Sequence, residues 1–138
     1  MKAPDKKFAI YVSTKSENPA ERERQEASCW ALAEEFGWEV AEVYSDTGKT
    51  ANRPLRPGYQ SMCANLRAGT LQGVLAYDAT RLCRGTRDLE TFIDLVDATG
   101  TEVHMCYEWI DLSTPTGRLS ARSIGANASY WRVNRRRP

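Results

Sequence analysis

The chain is poor in metal ligands. It has one histidine, His104, and its four cysteines, Cys29, Cys63, Cys83 and Cys106, are spread widely and form no CxxC pair, so no zinc centre can be assembled from that spacing. Cys29, Cys63 and Cys106 lie in apolar stretches and read as core thiols, whereas Cys83, set between arginines, reads as more exposed. No signal peptide and no apolar run long enough to span a bilayer are present, so the chain reads as cytosolic and without a membrane partner. Surplus charge is missing too: 19 Lys and Arg stand against 18 Asp and Glu, a net charge of +1. Any surface for a polyanion must therefore be local. There is no internal repeat or low-complexity linker, and 138 residues suffice for one core but not for a second substantial module.

What is present is an alternation of strand and helix patterns. Phe8 to Val12 is dense in β-formers and predicts a first strand that ends in polar residues at the sheet edge. Asn18-Pro19 offers a cap and a first-turn proline for a helix running to Phe36, with Trp30, Ala33 and Phe36 on one face and Gly37 closing it. Trp38 to Tyr44 alternates as a half-buried strand would, and Ser45 to Pro54 reads as loop. A helix from Pro57 to Arg67 turns Tyr59, Met62, Cys63 and Leu66 inward and ends at Gly69. Gly73 to Tyr77 is a third strand. A helix from Asp88 to Thr99 buries Leu89, Phe92, Ile93 and Val96, and Glu102 to Tyr107 is a fourth strand. This order predicts an α/β fold: a mostly parallel sheet of four to five strands flanked by helices on both faces.

Chemistry concentrates after the third strand. Thr80-Arg81-Leu82-Cys83-Arg84 places two guanidiniums, three residues apart, at the sheet's carboxyl edge, where a helix start would turn both to one side. Arginine forks match phosphate oxygens in geometry and charge, so the tract reads as an anion site or as an exposed basic loop. Gly48-Lys49-Thr50 resembles the end of a phosphate-binding P-loop, but the glycine required five residues before Gly48 is Val43, which cannot form the amide nest. The terminal run through Arg132, Arg135, Arg136 and Arg137 would gain from counterion release on DNA, or is a solvated end.

Taken together with Ile110 to Arg118, the arginine tract resembles the catalytic domain of the serine recombinases, the resolvase/invertase family, most closely the large serine recombinases of actinobacteria and their phages. Arg24-Gln25 on the first helix, Asp46 after a strand, and Arg56-Pro57-Gly58-Tyr59 opening the next helix fall in the expected order. The resemblance covers residues 8–126, leaving 127–138 as a divergent basic tail. It implies a long C-terminal helix, DNA as partner, a homodimer or tetramer on DNA, possible pairing with a full-length recombinase, and chemistry without cofactor or metal. A serine attacks a phosphodiester to give a 5′-phosphoseryl link and a free 3′ hydroxyl, and arginines stabilise the charge on the phosphorane.

The resemblance implies that Arg81 and Arg84 bind the phosphate, Arg56 adds a third cation, Asp46 orients arginines or assists proton transfer, and Gln25 hydrogen-bonds near the nucleophile. Arg118 and Arg122 would lead into the helix that forms the dimer contact and crosses the minor groove. The nucleophile is less settled. The family shows Tyr-x-Arg-x-Ser; aligning its tyrosine on Tyr11 puts Lys15 at the serine position, whereas matching Val12-Ser13-Thr14 to the family's Val-Ser-Thr makes Ser13 the nucleophile. Either alignment loses the neighbouring arginine, Ser16 is a further candidate, and loop capping is an alternative role for both serines. Thr80 stands where an aspartate commonly precedes the first arginine, and Asn127 to Arg132 keeps little of the family's amphipathic helix. Three readings stay open: an active recombinase domain, an impaired remnant or accessory subunit that dimerises or binds DNA without cleavage, and a non-catalytic binding domain that shares only the fold.

Overall fold

The computed structural model describes residues 6–15, 18–48, 56–83, 85–107, 111–112 and 114–125. Its elements in chain order are β1 (Lys7–Thr14), α1 (Pro19–Phe36), β2 (Glu39–Thr47), α2 (Pro57–Ala68), β3 (Gly73–Ala76), the single turn α3 (Ala79–Leu82), α4 (Thr86–Thr99), β4 (Glu102–Met105) and α5 (Pro115–Gly125). The four strands form one all-parallel sheet in the order β2-β1-β3-β4. Strands are first added on one side of β1 and then on the other. The direction of winding therefore reverses between β1 and β3, which places a crevice at their carboxyl ends and the crossover helices on opposite faces.

The two faces are packed accordingly. On one, Phe8, Ile10, Val12 and Leu75 meet Cys29 and Ala33 of α1. On the other, Ala9, Tyr11, Tyr44, Val74, Ala76, Val103 and Met105 meet Tyr59, Met62, Cys63 and Leu66 of α2 and Leu89, Phe92, Ile93 and Val96 of α4. Strict alternation along β1 assigns even positions to the α1 face and odd ones to the α2 and α4 face. Ser13 follows Ala9 and Tyr11 onto the second face.

Local signals in the chain explain where the helices start and stop. Asn18 Oδ1 accepts the Ala20 amide at 3.0 Å with Pro19 in the first turn, and Gly37 closes α1 at φ +72°. The inward stripe of α1 is not the one the aromatic residues suggest. Gln25, Cys29 and Ala33 are buried at i, i+4 and i+8, while Trp30 is 44% and Phe36 58% exposed. Trp30 lies about 100° round the helix from Cys29, and Phe36, in the last turn, stacks on Trp38 at 4.8 Å between centroids. Strand β2 runs on through Asp46 and Thr47, which pair with Ser13 and Thr14, where the sequence reads as loop. The phosphate-suited tract forms its own turn, α3, separate from α4, and Cys83 is buried rather than exposed. The long C-terminal helix is described only as Pro115–Gly125, and Arg132, Arg135, Arg136 and Arg137 lie outside the described residues, as do Arg84, Ser16 and Lys49. No helix among the described residues is long and apolar enough to cross a membrane.

Candidate active site

Strand β1 outruns β3. Its pairing with β3 ends at Tyr11 and Ala76, two residues short of Ser13. There Gln25 bonds the strand: its Oε1 accepts the Ser13 amide at 3.2 Å and its Nε2 donates to the Ser13 carbonyl at 3.0 Å. An amide side chain sets an N–H donor beside a carbonyl acceptor as a peptide does, which is why a glutamine can continue a ladder that the next strand has left. Arg81 Nη1 donates to the same Ser13 carbonyl at 3.2 Å. Ser13, Gln25 and Arg81 are thus brought together at the switch point between β1 and β3. Ser13 itself is 0% exposed.

Carboxylates surround Arg81. Glu21 Oε1 lies 3.5 Å from Nη2, and Asp78 Oδ1 lies 3.8 Å from Nε. Asp78 also caps α3, accepting the Thr80 amide at 3.0 Å and the Thr80 hydroxyl at 2.6 Å. The charge that the threonine at position 80 fails to supply is therefore provided from two positions upstream and from α1. Glu21 lies one helical turn before Gln25 and accepts its Nε2 at 3.3 Å, and it also pairs with Arg24. The Nε of Arg81 is the one buried side-chain polar atom without a hydrogen bond among the described residues.

Arg56 lies against the backbone of Arg81 and Leu82. It is 3% exposed, with its guanidinium beneath the arginine tract. Nη1 donates to the carbonyl of Leu82 at 3.1 Å and lies 3.5 Å from that of Arg81, while Nη2 pairs with Asp88 at 2.8 Å. The plane sits 3.8 Å from the centroid of the Tyr59 ring. Burial works against its charge, and Tyr11, Asp88 and Tyr59 more than offset this, so the guanidinium stays protonated. Its backbone has φ +29°, a region costing a non-glycine residue on the order of 1–3 kcal/mol. The following Pro57 keeps Arg56 out of the helical region, and the buried contacts of its side chain hold it there.

Asp46 is 1% exposed. Its described hydrogen bonds come from the Tyr11 hydroxyl at 2.7 Å and from the amides of Gly58 and Tyr59, each at 2.9 Å. A carboxylate on the first amides of a helix satisfies orphan donors and complements the helix dipole. Gly58 makes this possible, because a Cβ there would meet the Ser45 carbonyl oxygen at 2.5 Å. Burial first of all, together with the bond to Asp46, raises the Tyr11 pKa well above the usual phenol value, with Arg56 working against the shift. Asp46 thus fixes α2, and α2 begins beside Arg56. Of the predicted arginines in the C-terminal segment, Arg118 donates to the Leu112 carbonyl at 2.8 Å and pairs with Asp97, and Arg122 forms a two-pronged pair with Glu90 at 2.7 and 2.8 Å. Both bind α5 to α4, and neither is brought to the Ser13 cluster.

Glu21, Asp78 and Asp88 were not singled out from sequence, and Tyr11 entered only as the tyrosine of the aligned motif. Glu21 could have been, from its helical spacing to Gln25, and Asp78 from its capping spacing to Thr80. No local pattern marks Asp88.

The switch point of this parallel α/β domain gathers a serine, a glutamine and a carboxylate-framed arginine at the carboxyl edge of the sheet. Residues 10–137 match the family described as the resolvase N-terminal domain, and the chain belongs to that family. Among solved structures, the N-terminal catalytic domain of TP901-1 integrase is similar with 27% identity and a TM-score of 0.75, over 94% of this chain and 99% of that one. A resolvase-family site-specific recombinase from Streptococcus pneumoniae shares the fold at 22% identity and TM-score 0.72, over 95% and 91% of the two chains. So does the C-terminal catalytic domain of ISC1926 TnpA, an IS607-like serine recombinase, at 21% identity and TM-score 0.65, over 90% and 82%. A search of curated proteins finds no match.

Proposed function

We propose that this chain is the catalytic domain of a site-specific DNA recombinase that cuts and rejoins DNA through Ser13, with Arg81 and Arg84 on the scissile phosphate. The observation that carries the reading is the Ser13 carbonyl, which takes a hydrogen bond from Gln25 at 3.0 Å and from Arg81 at 3.2 Å. One backbone atom thereby sets the strand end, the helix α1 and the cation in a fixed relation. Preorganised donors of this kind matter because they need no reorganisation as charge develops on the phosphorane, and losing one typically costs ~10²–10³ in rate. The unsatisfied Nε of Arg81 supports the same role, since a buried donor without an acceptor is one that a phosphate oxygen can fill.

In this scheme the Ser13 oxygen attacks phosphorus, the 3′ oxygen leaves with a proton, and the phosphoseryl bond conserves the energy for rejoining. Glu21 and Asp78 hold Arg81 in place before DNA binds. Arg56 and Asp46 are positioning residues: Arg56 supports the carbonyls of Arg81 and Leu82 from below, and Asp46 anchors the helix that follows Arg56. DNA is the partner, with assembly as a dimer or tetramer and residues 1–126 as the catalytic unit. Arg118 and Arg122 would reach DNA only by exchanging Asp97 and Glu90 for phosphates.

A second reading, an accessory subunit without cleavage, draws support from the complete burial of Ser13. The two are separated by presenting a pool of nicked duplexes and running the products under denaturing conditions. The recombinase reading expects a covalent protein–DNA species that Ser13→Ala abolishes. Co-assembly with a full-length recombinase and no covalent species would establish the accessory reading.

A further inference from the structure

Two thiols meet outside the Ser13 cluster. Cys29 of α1 and Cys106, just after β4, are 77 residues apart in sequence and have their sulfurs 3.7 Å apart. No disulfide joins them. Cys29 is fully buried among Phe8, Ile10, Val12 and Leu75, and Cys106, packed against the same cluster, is half-buried. This contact bridges the helix that carries Glu21 and Gln25 to the residue that follows the edge strand β4. Cys29 lies one turn beyond Gln25 and two beyond Glu21, so all three side chains project from one stripe of α1. No group of three or more metal-ligating side chains gathers among the described residues. The pair therefore has the make-up of a dithiol rather than of a metal centre.

We propose that Cys29 and Cys106 form a reversible disulfide in the presence of a peroxide, and that this cross-link fixes α1, and with it Gln25 and Glu21, against the sheet edge at Ser13. The two sulfurs differ in the way that such a reaction needs. A hydrogen bond from Cys29 favours the thiolate of Cys106 and lowers its pKa, although burial and Asp78 oppose this. The same contact, burial and the nearby Glu26 raise that of Cys29. Cys106, the more exposed, is the attacking sulfur. Its thiolate takes one peroxide oxygen, the O–O bond breaks, and the departing hydroxide is protonated to water, leaving Cys106 as the sulfenic acid. The Cys29 sulfur then attacks the Cys106 sulfur. The S–S bond forms, the S–O bond breaks, and the hydroxyl leaves as water with the proton of Cys29. Two thiols are oxidised by two electrons and one peroxide is reduced to two waters.

The consequence for the site follows from covalent connection. Gln25 closes a two-bond pairing with the Ser13 backbone, and fraying of α1 opens that pairing. A bond one turn away, closing a long loop, restrains the fraying and removes disorder from the unfolded chain. The inference goes beyond recombination chemistry and stands whether or not Ser13 is a nucleophile.

The test is to treat the purified full chain with a small excess of hydrogen peroxide and digest it under non-reducing conditions. The expected result is a mass loss of two hydrogens, a single Cys29–Cys106 linked peptide, restoration by dithiothreitol, and no linked peptide in Cys29→Ser or Cys106→Ser. Hydrogen exchange at the Ser13 amide should slow several-fold in the oxidised wild type and not in the treated variants. Oxidation of Cys106 to sulfinic acid without a link, or a link through Cys63 or Cys83, would overturn the disulfide. Formation of the link with unchanged exchange at Ser13 would overturn the coupling to the site.

Discussion

Removing the Arg56 guanidinium should unfold the domain more readily than removing any cation that faces solvent. In Arg56→Ala the carbonyl of Leu82 loses its donor at 3.1 Å, Asp88 loses its partner at 2.8 Å, and the Tyr59 ring loses the cation 3.8 Å from its centroid. Hydrogen bonds to charged groups contribute roughly 1.5–3 kcal/mol each and a desolvated cation–π contact about 1–2 kcal/mol. The Asp88 side chain is 27% exposed, so water recovers part of its loss. With the Asp88 loss about halved by water, these parts give a destabilisation of about 3–6 kcal/mol, overlapping the range of roughly 3–5 kcal/mol found when one member of a buried pair is deleted. The backbone supplies an internal control. At φ +29° alanine is as strained as arginine, whereas glycine is not, so Arg56→Gly should be less destabilised than Arg56→Ala by on the order of 1 kcal/mol. Arg56→Lys keeps the charge but not the fork and should fall between wild type and alanine. Urea denaturation followed by circular dichroism, extrapolated linearly to water, measures all three. An Arg56→Ala protein within 1 kcal/mol of wild type would refute the positioning role and return Arg56 to the phosphate.

Asp46→Ala strips the acceptor from the Tyr11 hydroxyl and from the Gly58 and Tyr59 amides and should cost about 2–4 kcal/mol in the same denaturation experiment. Gly58→Ala, whose Cβ would sit 2.5 Å from the Ser45 oxygen, should lose about 1–3 kcal/mol, read as a lower thermal midpoint. Tyr11 and Tyr59 have pKa values raised chiefly by burial, so their contribution to stability is complete below the unfolded tyrosine value of about 10 and is lost as pH rises beyond it towards the folded values. A titration of phenolate absorbance should accordingly leave these two protonated until the protein unfolds, and full ionisation of all six tyrosines with native circular dichroism retained would contradict the burial account.

The layers of this fold were legible because they rest on short-range rules. The cap at Asn18, the proline at 19 and the glycines at 37, 69 and 100 mark helix ends by local chemistry, and Leu89, Phe92, Ile93 and Val96 mark a core stripe by period. The inward face of α1 was not, because its two most buried polar and sulfur side chains, Gln25 and Cys29, are the ones hydropathy passes over in favour of Trp30 and Phe36. Strand β2 outran its apolar pattern for a related reason. Ser45, Asp46 and Thr47 extend it through backbone pairing with β1 and through the bond from Tyr11, neither of which a loop-like composition reveals. At the site, Gln25 and Arg81 were named from resemblance, and both side chains bond the Ser13 carbonyl. Glu21 beside Arg81, and the contacts of Arg56 with Leu82 and Asp88, depend on elements distant in sequence that the packed chain brings together.

The most direct test of the central claim is to isolate the protein–DNA species formed on nicked duplexes, digest both components, and locate the modified serine by mass spectrometry. The expected product is a nucleotide remnant joined through its 5′ phosphate to the peptide bearing Ser13, with its yield reduced at least about a hundredfold in Arg81→Ala. A remnant on Ser16, or a wild-type protein that forms no such species on DNA that it binds, would contradict it.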